Sequence, residues 1–185
     1  MKRRTLLQHL AISPGAVLLT QAVQTTQAKT GGTNVENLQK NWKSYLAEDA
    51  DVALVTEPLN YSEEKWKEML TPQQYEILRR EGTERPFHSP LNGEKRPGVY
   101  VCTGCSLPLF TSAMKFDSGT GWPSFFTTIP GAFETKKDFK LIWPRTEYHC
   151  ARCKGHHGHV FNDGPPPTGE RWCNNGAALR FIHKA

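Results

Sequence analysis

Gly98-Val99-Tyr100-Val101-Cys102-Thr103-Gly104-Cys105 is where the character of this chain changes. Before it, apolar residues recur at helical intervals. From it onward the sequence breaks into short apolar runs separated by turn residues. The run 98–102 is too short and too β-branched for a helix, and it ends in a tight Cys-x-x-Cys turn with glycine inside. Similar runs follow at 124–128, 139–143, 146–150, 158–161 and 177–183, with a loop rich in Gly and Pro over 162–170. The expectation is a mostly β domain of antiparallel strands behind a short helical lead-in.

In that lead-in, Leu38, Trp42, Tyr45 and Leu46 stand at i, i+4, i+7 and i+8 and predict one amphipathic helix. Ser62 is placed to cap a second helix carrying Trp66, Met69 and Leu70. Thr71, Pro72 and Gln74 spell the capping box of a third, with Gly82 as its stop. The aromatic side chains read as core packing.

The chain has 185 residues, enough for one domain with a real core. Its formal charge of +5 suggests nucleic acid only until it is located. Residues 1–28 hold Lys2, Arg3 and Arg4 and no acid, so the rest carries 20 basic against 18 acidic residues. A balanced body without a basic run excludes nucleic acid as the natural partner. Residues 1–28 read as a signal peptide of twin-arginine type, which implies export to a periplasm; a mitochondrial or plastid transit peptide is the alternative. No apolar stretch reaches the ~18 residues of a membrane anchor. Residues 29–58 read as linker and short helix, and 59–185 as the working domain.

Four of the five cysteines pair as Cys102/Cys105 and Cys150/Cys153. Two such knuckles supply the four thiolates of a tetrahedral zinc site and would join distant hairpins. Two disulfides, a redox pair, or a site of Cys150, Cys153, His156 and His159 are the competing readings. Cys173 is left over between Arg171 and Asn175. If the last strand began early, these three would alternate onto one face, with Trp172 and Asn174 on the other. A guanidinium beside a thiol favours the nucleophilic thiolate; the competing reading is an inert buried thiol. His156, His157 and His159 crowd the segment just upstream and could move a proton. As a strand, the segment would put His157 and His159 together; as a turn, His156 and His159.

Phe116-Asp117-Ser118-Gly119-Thr120-Gly121-Trp122-Pro123-Ser124-Phe125, Gly158-His159-Val160-Phe161 and Gly169-Glu170-Arg171-Trp172-Cys173-Asn174-Asn175 resemble the methionine-R-sulfoxide reductases of B type, as do Gly82-Thr83-Glu84-Arg85-Pro86-Phe87 and the two knuckles. The resemblance implies a tent-like arrangement of two antiparallel sheets with structural zinc away from the active site. It implies that Cys173 attacks the sulfoxide sulfur and becomes a sulfenic acid, with Trp122 and Phe161 receiving the substrate. His156 and His159 would be pocket histidines, His159 the proton donor. Arg171 would lower the Cys173 pKa, and Asn175 and Asp163 would orient the network. Thr120 stands where many members carry a resolving cysteine, so an external thiol would regenerate the enzyme. The expected partners are oxidised proteins or peptides and that thiol, met by a monomer. His157 replaces a usual leucine and Asn162 a usual proline, which would alter the pocket rim; Trp172 replaces a common tyrosine. A zinc-stabilised binding module, or a Cys-His hydrolase, would be the other classes; the hydrolase would need an oxyanion hole that the sequence does not supply.

Overall fold

The computed structural model describes residues 34–139 and 144–184. The segment 1–28 and most of the expected strand 139–143 lie outside them.

Capping chemistry sets the helices. Asn34 accepts the Asn37 N–H at 3.1 Å and opens α1 (Val35–Lys40). The single helix expected through Leu46 is broken at Asn41, and a 3-10 turn, Trp42–Tyr45, follows. The break has a local cause. Asn41 donates its side-chain amide to Asn37 at 2.6 Å, and the Ser44 hydroxyl donates to the Asn41 carbonyl at 2.8 Å, so short polar side chains compete with the helical ladder. Ser62 caps α2 (Glu63–Met69). Thr71 and Gln74 exchange hydrogen bonds of 3.3 and 3.0 Å at the head of α3 (Pro72–Arg80). Its stop differs from the expectation: Glu81, not Gly82, takes the left-handed conformation, at φ 57°. Gly82 serves by closeness instead, since a Cβ there would lie 3.0 Å from the Glu76 carbonyl oxygen. α2 and α3 bury Trp66, Ile77 and Leu78.

The strands are β1 (Gly98–Cys102), β2 (Pro108–Thr111), β3 (Lys115–Phe116), β4 (Ser124–Phe125), β5 (Phe133–Asp138), β6 (Arg145–Cys150), β7 (His156–Phe161), β8 (Arg171–Asn174) and β9 (Leu179–His183). They form two antiparallel sheets, one of order β2–β1–β9 and one of order β3–β4–β8–β7–β6–β5. The fold is thus mostly β, as expected. The run 177–183 is not a strand that begins early. A 3-10 turn, Gly176–Ala178, separates β8 from β9, and the two strands belong to different sheets. Asn175 sits at that corner and does not continue the alternation of Arg171 and Cys173. The corner is held by the Glu84 carboxylate, which accepts the N–H groups of Gly176 and Ala177.

Register divides the larger sheet into two faces. Phe125, Tyr148, His157 and Trp172 are on the face that meets the smaller sheet through aromatic contacts. The Phe110 and Phe125 rings stack at 3.9 Å, and Tyr100 meets Phe125 edge-on at 5.0 Å. The other face carries Ser124, Cys173, His159, Glu147 and Lys136 as successive cross-strand partners. One face builds the core; the other is free for chemistry.

Candidate active site and metal centre

His159 lies directly across from Cys173 in the β7–β8 ladder, and Ser124 flanks Cys173 on the opposite side. Such partners bring their Cβ atoms to about 5 Å. The closeness of β7 and β8 depends on Gly158, where a Cβ would fall 1.9 Å from the Cys173 carbonyl oxygen.

A bulge settles which histidines meet. Tyr148 pairs with Gly158, while His149 pairs with His156, so β7 carries one extra residue there. The insertion reverses the alternation upstream of Gly158. His156 and His159 therefore share the open face with ring centroids 5.5 Å apart, although the segment is a strand. His157 is turned into the core. Neither simple alternation nor a turn described this arrangement.

Each histidine of the pair is backed by a buried acid. His159 Nε2 is 2.8 Å from Asp138 Oδ2, which also accepts from Arg145 at 2.7 Å. His156 Nδ1 is 2.8 Å from Glu147 Oε1, and Lys136 approaches the same carboxylate at 3.2 Å. Burial lowers the pKa of both histidines, and the partner carboxylates only partly restore it. Both imidazoles are therefore largely neutral at pH 7. His159 lines the pocket around Cys173, whereas His156 stands behind it.

Arg171 is fixed by a bidentate pair with Asp163, at 2.8 and 2.9 Å, and by stacking 4.3 Å above the Phe161 ring. The Cys173 thiol is nevertheless held above its ordinary pKa. Burial raises it more than Arg171 and the Thr120 hydroxyl lower it. The expectation of a thiol depressed by Arg171 has the right sign for that contact and the wrong net direction, because strand and pocket walls remove water from the sulfur.

Trp122 is carried by a loop clamped to the segment before β1. Its indole N–H donates to the Glu84 carbonyl at 3.1 Å, and the Gly121 carbonyl accepts the Phe87 N–H at 2.7 Å. Gly121 is required here: its φ is 90°, and a Cβ would lie 2.8 Å from Phe87 N. The Glu84 N–H donates to the Asn175 side chain at 3.0 Å. Glu84 thereby ties Trp122, Asn175 and the Gly176 corner together. Cys173, His159, Arg171, Trp122, Phe161 and Asn175 converge on one pocket of about 250 Å³, joined by Thr83, Thr120, Arg145, Gly158 and Asn174. Asp163 reaches it through Arg171. Sequence reasoning did not single out Asp138, Glu147 or Arg145. Burial marks Asp138 and Glu147, and the half-buried Arg145 is marked by its ion pair with Asp138.

Cys102, Cys105, Cys150 and Cys153 bring their sulfurs within 4.8 Å of one another, all buried. Cys102 and Cys153 are 3.6 Å apart, and Cys105 and Cys150 are 3.5 Å apart. A disulfide needs about 2.0 Å, so the two-disulfide reading fails. Sulfurs at ~2.3 Å from a central zinc would be about 3.8 Å from one another, close to what is found. The donor set fits a tetrathiolate metal site, and His156 and His159 are engaged elsewhere. Each knuckle is closed by a left-handed residue after its second cysteine, Ser106 at φ 59° and Lys154 at φ 58°. Gly104, expected to matter for the turn, has room for a side chain, its nearest neighbours being at 3.5 Å. Trp66 and Leu78 supply those neighbours, so α2 and α3 roof the centre.

A SelR domain matches residues 70–183. The chain belongs to the MsrB family. It is 54% identical over 121 residues to peptide methionine sulfoxide reductase B1, chloroplastic, of Arabidopsis thaliana, covering 65% of this chain and 60% of that one. To the MsrB of Agrobacterium fabrum it is 50% identical over 129 residues, 69% of this chain and 96% of the relative. The MsrB of Pseudomonas putida gives 53% over 119 residues, covering 64% and 90%. The SelR match takes in both knuckles and every residue lining the Cys173 pocket.

Proposed function

We propose that this chain reduces the R epimer of methionine sulfoxide, in oxidised proteins or peptides, to methionine. The observation that carries the reading is the convergence of Cys173, His159, Arg171 and Trp122 on one pocket, in a member of the MsrB family. Trp122 and Phe161 receive the methyl-bearing end of the side chain, a contact that favours sulfur and methyl groups alike. Cys173 Sγ bonds to the sulfoxide sulfur. Its thiol proton passes through His159 to the sulfoxide oxygen, with Asp138 stabilising the transient imidazolium. The oxygen then transfers to Cys173 as the sulfur–sulfur bond breaks, leaving methionine and a cysteine sulfenic acid. Arg171, fixed by Asp163, favours the thiolate as it forms, and Asn175 holds the corner beside it.

The remaining four cysteines are buried in the metal cluster. An external thiol therefore condenses with the sulfenic acid, releasing water, and a second thiol frees Cys173. The sum is methionine sulfoxide plus two thiols giving methionine, a disulfide and water. Zinc bound by Cys102, Cys105, Cys150 and Cys153 ties the β1–β2 and β6–β7 hairpins and takes no part in these steps. The monomer acts after export to a periplasm, directed by residues 1–28; a plastid address is the alternative outcome of sequencing the mature N-terminus.

The test is a stereospecific assay on both epimers with dithiothreitol. Turnover of the R epimer that disappears in Cys173→Ser, with an unchanged circular dichroism spectrum, supports the reading. Turnover retained in Cys173→Ser overturns it.

A further inference from the structure

His157 does not line the pocket; it lies on the core face of the larger sheet. The bulge that aligns His156 with His159 directs the His157 ring inward, fully buried, where Nε2 lies 3.4 Å from Cys102 Sγ. Its Nδ1 has no hydrogen-bond partner among the described residues. The ring is fixed from the sides by Phe133, edge-on at 5.5 Å, and by Tyr148, nearly parallel at 6.5 Å. The expectation that His157 alters the pocket rim is thus corrected; this residue addresses the cysteine cluster.

We infer that His157 is a built-in hydrogen-bond donor to the metal centre, presenting Nε2–H to the Cys102 thiolate. Two arguments meet here. The first is tautomer chemistry. A thiolate offers only lone pairs, so a proton on Nε2 satisfies both partners. Of the two ring nitrogens only Nε2 has a neighbour in good hydrogen-bond geometry, so a proton on Nδ1 would lack such a partner and would set one lone pair against another at the sulfur. The second is charge. Four thiolates around a divalent ion leave two negative charges in a dry interior, and donors to sulfur spread that charge. Leucine, the residue usual at position 157 in the resemblance, has no donor to give.

The same residue reaches the active site through its backbone. The His157 carbonyl accepts from Asn175 N at 2.8 Å and from Asn175 Nδ2 at 3.0 Å. His157 is thus a positioning residue with its side chain on a metal ligand and its main chain on the corner beside Cys173.

This inference rests on the cysteine cluster holding a metal, and the experiment separates the two. Metal content of the purified full chain is measured first; a chain that binds no zinc overturns the metal reading and this one with it. The protein is then loaded with ¹¹³Cd, and long-range ¹H–¹⁵N spectra of the imidazoles are recorded. The expected result is the Nε2–H tautomer for His157, with through-bond coupling from ¹¹³Cd to that proton. In His157→Leu, zinc affinity should fall roughly tenfold, as is typical when a partner of a metal ligand is removed. The sulfur-to-cobalt charge-transfer band of the Co²⁺ form should move to longer wavelength. An Nδ1–H tautomer in the metal-bound wild type overturns the inference, whether or not the variant folds. So does a folded His157→Leu with unchanged affinity and an unshifted band.

Discussion

Adding one methyl group at Gly158 tests whether the spacing of β7 and β8 sets the chemistry. A Cβ at this position would stand 1.9 Å from the Cys173 carbonyl oxygen and 3.1 Å from its carbonyl carbon. Carbon and carbonyl oxygen normally approach to about 3.3 Å, so roughly 1.4 Å of separation must be found. The obstructing atom is main chain, so no rotamer change can supply it. The ladder must open between the residues that hold His159 against Cys173. Overpacking of this kind costs about 1–3 kcal/mol of stability. A shift near 1 Å at a reacting group costs on the order of 10²-fold in rate. Gly158→Ala should therefore keep its metal and its β-rich circular dichroism, melt at a lower temperature, and lose at least ~100-fold in kcat/KM. The assay is dithiothreitol-supported reduction of the R-sulfoxide epimer, with Gly104→Ala, which meets only ordinary contacts, as the near-wild-type control. A stable Gly158→Ala enzyme with wild-type turnover would refute the argument that backbone closeness positions the thiol.

Removing the charge behind the proton carrier, by Asp138→Asn, should lower kcat on the order of 10²-fold. It should also move the acid limb of the pH–rate profile downward, because the imidazolium loses its carboxylate; an unmoved limb argues against His159. Asp163→Asn should cost about 5-fold in kcat/KM, a small effect because the Asp163 side chain is 61% exposed. Since the Asp163 charge raises the Cys173 pKa, the alkaline limb should shift down, which iodoacetamide alkylation rates against pH would check. Finally, burial depresses His156 in the folded state, so near and below pH ~6.5 the unfolded chain binds a proton that the folded chain refuses. Stability should fall with pH through that window, by at most about 1.4 kcal/mol per unit for this residue. Urea midpoints of wild type and His156→Gln across pH 5.5 to 7.5 should differ in slope; equal slopes would remove His156 from the account.

Capping residues, knuckles and the isolated cysteine were legible because each is a local signal. Thr71 and Gln74 need only each other, and Cys-x-x-Cys turns declare their own geometry. Strand 98–102 was readable as a continuous apolar run because both of its faces are covered. Strand β5 was not, since Glu134 to Lys137 hold no apolar run and become strand through pairing with β6. The division of 177–183 from β8 was hidden for a similar reason: the Glu84 carboxylate that forms the corner is over ninety residues upstream.

By itself the sequence determined the composition of the chemistry: four paired thiols for a metal, one thiol apart from them, histidines and an arginine nearby, and no second thiol at Thr120. Those are statements about which groups exist, and local spacing suffices for them. Only the tertiary structure decided what each group faces. A single inserted residue in β7 put His156 beside His159 and sent His157 to the Cys102 sulfur. Buried Asp138 and Glu147 were brought behind the imidazoles from another strand pair. The surrounding walls raised the Cys173 pKa where Arg171 alone would have lowered it. Side-chain direction in a sheet reverses with one residue of register, and desolvation depends on everything packed around a group, so neither can be read from neighbours in sequence.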